Sequence, residues 1–177
     1  MFIAFEDASS FNIEKLQTCK WIDEPKNLLI TGSAGAGKTH IANAFCITAL
    51  HQLRTVKYIR ANTLLQQNEK ARKTNSSYEY TNEMSSYDLL VIDDFGLMEL
   101  DLEKCRDLFE IIETRDSRKA TMIVSQLPVA NWWDLFKDST YIIIYSSYVF
   151  LNLIPAGNSA NSFSLRKILF FLAHRSD

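Results

Sequence analysis

Gly32-Ser33-Ala34-Gly35-Ala36-Gly37-Lys38-Thr39 follows directly on the apolar run Leu28-Leu29-Ile30 and leads directly into a helical pattern. The glycines let the backbone curl so that successive N–H groups face inward, and the helix that follows adds its positive N-terminal end. A loop so built holds the phosphates of a nucleoside triphosphate. Lys38 supplies a point charge to the β- and γ-phosphates and Thr39 a hydroxyl to Mg²⁺. An ordinary glycine-rich turn needs neither the Lys-Thr pair nor a buried strand before it and an amphipathic helix after it.

Downstream, Asp88-Leu89-Leu90-Val91-Ile92-Asp93-Asp94 is an apolar strand run that ends in two adjacent carboxylates. Such a run suits a central parallel strand covered on both faces, and ligands collect beyond the C-terminal ends of such strands. It reads as a Walker B strand, with Asp93 holding the Mg²⁺ shell and Asp94 polarising an attacking water. One Asp of the pair would equally serve to cap the turn into Phe95-Gly96-Leu97. A further strand ends in Ser125-Gln126-Leu127-Pro128. Gln126, and after it Ser125, is expected to reach the γ-phosphate or the attacking water; the alternative is that both hydrogen-bond the turn before Pro128.

Four strand candidates, Leu28 to Thr31, Val56 to Arg60, Leu89 to Asp93 and Thr121 to Ser125, alternate with helical patterns. The alternation argues for an α/β fold, a P-loop NTPase three-layer αβα sandwich with a central parallel sheet. Between the first two, Thr39 to Gln52 places Ile41, Ala44, Phe45, Thr48 and Ala49 on one helical face. Leu102 to Thr114 does the same with Leu108, Ile111 and Ile112. Thr63 to Tyr87, polar and rich in Ser, Asn and Lys, reads as a helix followed by a mobile surface loop.

The chain has 177 residues, enough for one α/β domain, and a formal charge of -2. No global charge excess advertises nucleic acid, so DNA binding would need a local stripe or an assembled ring. Lys57, Arg60, Lys70, Arg72 and Lys73 form a candidate stripe tracking phosphate without reading sequence; a solvated helix face balanced by Glu69 and Glu79 is the plainer reading. Arg115, Arg118 and Lys119 suit a helix C-terminus, and Trp132 and Trp133 suit packing. Cys19, Cys46 and Cys105 are odd in number and widely spaced, which suits reduced thiols in a cytoplasmic protein. Acidic residues at Glu6 and Asp7 come too early for a signal peptide. The longest apolar stretch, Tyr141 to Pro155, is broken by Ser146, Ser147 and Asn152 and is too short to span a membrane.

With loop, double-Asp strand and polar-ended fourth strand in this order, the chain resembles the IstB/DnaC-like AAA+ ATPases, above all their transposition-helper branch. The resemblance runs over about residues 5 to 140. Its carriers are Leu16 to Ile22, the loop with its following His40, Asp88 to Leu97, the helix around Arg106-Asp107-Leu108, and Ser125 to Trp132. It implies a nucleotide-binding set of Gly32, Ser33, Ala34, Gly35, Ala36, Gly37, Lys38, Thr39 and His40, with ATP and Mg²⁺ as cofactors. It also implies an ATPase that assembles on DNA as a homo-oligomer and assists a transposase or loads a replicative helicase. Residues 1–140 then form the AAA+ core, and 141–177 a divergent or disrupted segment in place of the usual C-terminal part. Two other readings stand beside it: a nucleotide-binding interaction module with little hydrolysis, and a small P-loop kinase.

The sequence departs from the family pattern at both ends. The core begins almost at Met1, where members carry an extension that docks their partner. Beyond Thr140 the expected helix ending in Asp-Arg-Leu is replaced by Tyr141-Ile142-Ile143-Ile144-Tyr145, and no arginine follows until Arg166 in Ser164-Leu165-Arg166-Lys167. A local reading-frame disturbance between matching flanks accounts for this, as does divergence that keeps a fifth strand in 142–145 or 148–154. Because a trans-acting arginine is worth about 10³ to 10⁵ in rate at comparable sites, the expected outcome is a weak ATPase whose specific activity stays flat as protein concentration rises. A steep rise that disappears in Arg166→Ala would overturn that expectation.

Overall fold

The computed structural model describes the backbone of residues 2–5 and, with side chains, residues 16–128 and 131–132. Five strands, β1 (Phe2–Phe5), β2 (Asn27–Thr31), β3 (Val56–Arg60), β4 (Leu89–Phe95) and β5 (Ala120–Ser125), form one parallel sheet in the order β1-β2-β5-β4-β3. The four expected strands are present. β1 is an addition, paired to β2 from Phe2↔Asn27 to Phe5↔Ile30. The proposed strand in 142–145 or 148–154, the segment 141–177 as a whole, and Trp133 lie outside the described residues.

Among the described residues the strands are joined by the helices α1 (Lys20–Asp23), α2 (Lys38–His51), α3 (Ala61–Lys73), α4 (Ser77–Ser86) and α5 (Leu102–Arg115). One face of the sheet, presenting Leu28, Ile30, Leu89, Val91, Met122 and Val124, is covered by α1 and α2. The opposite face, with Leu29, Leu90, Ile92 and Ile123, is covered by α3, α4 and α5. This is the expected αβα sandwich, and it explains the unbroken apolar runs: a strand buried on both faces has no side on which to alternate polar residues.

Two local expectations are corrected. Thr63 to Tyr87 is not a helix followed by a loop; α3 turns at residues 74–76 and α4 follows, burying Thr81 and Met84. On α2 the buried stripe is Lys38, Ala42, Phe45, Cys46 and Ala49, while Ala44 is exposed. Ile47 and Leu50 also face outward, so the helix is apolar on more than one side and its period does not single out the inner one. On α5, Leu108, Ile111 and Ile112 are buried as expected, and Asp101 caps its start by accepting from the Lys104 N–H at 2.9 Å.

The N-terminal ends of three strands are tied together by Asp88. Its Oδ2 accepts from the Thr55 N–H and hydroxyl at 2.9 and 2.8 Å, and its Oδ1 from Lys119 Nζ at 2.6 Å. The Lys119 ammonium first, and then the Thr55 N–H, push the Asp88 carboxyl down to about 2. A carboxyl held below its unfolded value stabilises the fold at every pH above that value and loses its contribution as pH falls through the folded one. Asp88→Asn is therefore expected to lower stability at neutral pH and to flatten the decline between about pH 4 and 2, as read from denaturant midpoints across that window. An unchanged acid limb would remove Asp88 as its source.

Candidate functional site

Residues 32–37 carry the chain from the end of β2 to the start of α2. Gly35 and Gly37 have φ of +77° and +81°, and a Cβ at either would meet nothing within 4 Å. The requirement for glycine here is therefore conformational and not spatial: only glycine takes the left-handed region without cost, and these two turns aim the loop toward the first turn of α2. Lys38 opens α2, is largely buried, and donates from Nζ across the loop to the Ser33 carbonyl at 2.7 Å.

The second half of the site reaches the loop through one hydrogen bond. Thr39 Oγ1 donates to Asp93 Oδ2 at 3.1 Å, joining residues 54 apart in sequence. Asp93 is 5% exposed. Its charge is met by further donors: the Tyr58 hydroxyl, also on Oδ2, and the Asp94 N–H on Oδ1 at 2.7 Å. Burial first, and then the hydrogen bond to Asp93, raise the pKa of the Tyr58 phenol, so it remains a protonated donor.

Asp93 and Asp94 are separated in environment by a bulge. β4 and β5 run in register through Ile92↔Ile123 and resume at Phe95↔Ser125, so two residues of β4 oppose one of β5. Asp94 takes the left-handed conformation, φ +56°, which Asp and Asn tolerate better than most residues. It is half-exposed, with Arg60 Nε 3.3 Å from its Oδ2.

A cavity of about 260 Å³ lies over these groups, lined by Gly35, Gly37, Lys38 and Thr39 from the loop side, Asp93 and Asp94 from β4, Val124 and Ser125 from β5, and Gln126 just beyond it. Typical small-molecule sites hold roughly 300–1,000 Å³; this one matches the phosphate end of a nucleotide better than the whole of it. Gly32, Ser33, Ala34 and Ala36 belong to the loop without lining the cavity, and His40 is exposed on the first turn of α2. Gln126 borders the cavity half-buried. The Ser125 hydroxyl is engaged locally, donating to the Phe95 carbonyl at 2.8 Å and accepting from the Leu127 N–H at 3.1 Å. It thereby ties β5 to the end of the bulge.

Sequence reasoning missed Tyr58 and Val124. Tyr58 pairs with Val91 in register, two residues before Asp93 on the same face; no local pattern announces a partner 35 positions away. The basic stripe changes character. Arg60 faces Asp94, Lys57 faces Glu83 at 3.5 Å, Arg72 faces Glu103 and Asp107 at 2.9 and 3.1 Å, and Lys73 faces Glu69 at 2.6 Å. Four of its five members thus have an acidic neighbour; of the two acids expected to balance the helix face, Glu69 is found against Lys73, and the other partners are acids the sequence did not point to. Arg115 is fully buried, donating to the carbonyls of Met84 and Ala120 and to Thr121, and Trp132 packs on Phe95 at 4.5 Å between ring centroids. All three cysteines are free and buried, and burial pushes the Cys46 and Cys105 thiols up to about 11, which leaves them unreactive.

A parallel αβα sandwich with a phosphate-type loop before α2 and paired carboxylates near the end of β4 defines a P-loop domain. Solved structures agree on the fold. DnaI superposes with a TM-score of 0.67 at 13% identity, covering 82% of this chain and 80% of that one. The replication initiator DnaA bound to AMPPCP and single-stranded DNA gives 0.63 at 19%, covering 93% and 59%, and the DnaC helicase loader 0.58 at 18%, covering 83% and 82%. Within that class the chain belongs to the IstB-like ATP-binding protein family, whose model matches residues 2–143. It is 36% identical over 121 residues to a putative insertion sequence ATP-binding protein of Sinorhizobium fredii, covering 68% of this chain and 49% of that protein. With the putative ATP-binding protein of insertion sequence IS232 of Bacillus thuringiensis it shares 26% over 137 residues, covering 76% and 55%. The chain spans about half the length of these curated relatives.

Lys38→Ala is expected to weaken ATP affinity by roughly 100-fold, the worth of a charge-assisted contact, while thermal unfolding moves by no more than about 4 °C. Calorimetric titration beside a melting curve checks both, and full affinity in the variant would move the phosphate site elsewhere.

Proposed function

We propose that this chain is the ATPase core of an insertion-sequence helper: it binds Mg-ATP in the cavity between the loop and β4, and uses binding and hydrolysis to assemble on DNA beside a transposase. The carrying observation is the convergence of Lys38, Thr39, Asp93 and Asp94 on one cavity at the C-terminal ends of the central strands. The insertion-sequence relatives, closer in sequence than the helicase loader, favour a transposase over a replicative helicase as partner. Work on DNA would be carried out in the cytoplasm. Among the described residues no helix is long and apolar enough to cross a membrane.

The residues present suit Mg²⁺ delivered with the nucleotide. Among the described residues no group of three or more His, Cys, Asp or Glu converges on a point, so a cation here depends on phosphate oxygens and water as well as protein, which is how Mg²⁺ prefers to be held. Thr39 Oγ1 and Asp93, already in contact, would hold it, and the bound ion would draw charge from the β- and γ-phosphates. Lys38 would exchange its bond to the Ser33 carbonyl for a phosphate oxygen. The loop N–H groups and the start of α2 add partial positive charge without moving. Asp94, set outward by the bulge, accepts the proton of an attacking water, and Gln126 orients that water from the opposite wall.

A reading with little hydrolysis has one observation in its favour: no arginine lines the cavity among the described residues. Both readings share the division of labour at the strand end, and turnover separates them. Asp94→Asn preserves the left-handed backbone and is expected to keep Mg-ATP bound while lowering turnover by roughly 10²- to 10⁴-fold, the usual worth of a general base. Asp93→Asn is expected to weaken the Mg²⁺ dependence of binding itself. Single-turnover assays with and without single-stranded DNA check both; equal loss of metal dependence in the two variants would refute the assignment.

A further inference from the structure

Tyr58 stands outside the loop and outside β4, yet its hydroxyl donates to the carboxylate on which the proposed metal site turns. The contact follows from register. β3 pairs with β4 as Tyr58↔Val91 and Arg60↔Asp93, and residues paired in a parallel ladder share a face. Tyr58 therefore begins on the α2 side of the sheet, one pleat short of Asp93, and the length of its ring carries the hydroxyl forward to Oδ2. The ring itself is partly buried against the apolar cluster under α2, which restrains its side-chain torsions and directs the hydroxyl toward Asp93.

Asp93 Oδ2 has two hydroxyl donors, and their roles differ. Thr39 is the one whose oxygen a metal would take as a ligand, so its bond to Asp93 is subject to rearrangement when Mg-ATP arrives. Tyr58 reaches the same oxygen from the edge strand of the sheet, near enough to Thr39 for the two side chains to interact, yet it does not line the cavity. The Asp94 N–H on Oδ1 fixes the other oxygen. Between them the two fixed donors determine the plane of the carboxylate before any ligand enters, and a ligand carboxylate held by an outer partner binds its metal more tightly than one free to rotate.

We propose that Tyr58 is a positioning residue for Mg²⁺: it presets the Asp93 carboxylate from the neighbouring strand and so determines how much Mg²⁺ the site needs, without touching nucleotide. This rests on the phosphate-site reading above. The test is Tyr58→Phe, which keeps the ring and removes only the hydroxyl. ATP binding is titrated calorimetrically in the absence of Mg²⁺ and then at increasing Mg²⁺, beside thermal unfolding of both proteins. The expected result is a Mg²⁺ midpoint raised by about tenfold or more, with metal-free ATP affinity unchanged and only the modest fall in melting temperature that one lost hydrogen bond brings. An unmoved midpoint would overturn the inference, and so would a fall in metal-free affinity as large as the midpoint shift, since that signature belongs to a general loosening. Wild-type protein that binds no ATP at all would overturn the phosphate-site reading, and this inference with it; wild-type binding with an unmoved variant overturns this inference alone.

Discussion

A strand buried on both faces cannot carry a charge until it reaches its end, and β4 shows how much follows from this. Leu89, Leu90, Val91 and Ile92 are wholly removed from solvent, and the next residue is a carboxylate still only 5% exposed. An unpaired charge there would cost several kcal/mol. It is met by three donors from three places: a helix start, a neighbouring strand and its own following N–H. The site is assembled by that demand. The loop helix must stand where Thr39 reaches Asp93, β3 must pair in the register that brings Tyr58 forward, and the bulge must place the Asp94 N–H on Oδ1.

The opposite end of the sheet meets the same demand with different residues. Asp88 joins Thr55 and Lys119, and Arg115 lies buried among the Met84 and Ala120 carbonyls and the Thr121 hydroxyl. Burial pulls the Arg115 guanidinium down to about 10, still charged at neutral pH. Its neighbours are neutral acceptors, so it acts as a multi-pronged hydrogen-bond donor closing the end of α5 over β5 more than as half of an ion pair. Asn27 adds a cross-strand tie, accepting from the Thr121 N–H at 2.8 Å. A sheet clamped at its entry ends leaves the exit ends to be shaped by function, and there the bulge, left-handed Asp94 and the left-handed Gly35 and Gly37 of the loop lie.

What the sequence disclosed was what it states locally. The loop is a contiguous string with one use, and the run from Asp88 to Asp94 announces both its burial and its terminus, so the sandwich and the core of the site were legible. β1 was not, because four residues become a strand only by pairing with β2. α4 was not, because Ser, Asn and Tyr have weak helical preference and its inward face amounts to Thr81 and Met84. Each basic residue of the supposed stripe was visible, but its acidic neighbour was not where that neighbour is distant: Lys57 meets Glu83 and Arg72 meets Asp107 only after folding. Tyr58 is the same kind of case. Its meaning lies wholly in a register, and one sequence does not contain a register.

The charges around the cavity also constrain what enters it. Lys38 is the one cation among the described residues that line it, against Asp93 and Asp94; Arg60 is an exposed partner to Asp94, and such pairs are worth little. A bare triphosphate brought here would meet more negative charge than positive. The helix start and the loop N–H groups offset part of this, at roughly half an elementary charge for the helix. A divalent cation arriving with the nucleotide reverses the balance, turning the two carboxylates from a barrier into attractive groups. On the proposed reading, the same arrangement that makes Asp93 costly to bury without its donors would make the cavity favour a nucleotide that carries its own metal. Tyr58 and Thr39, by holding the Asp93 carboxylate in place, would keep the site ready for such a ligand before it arrives.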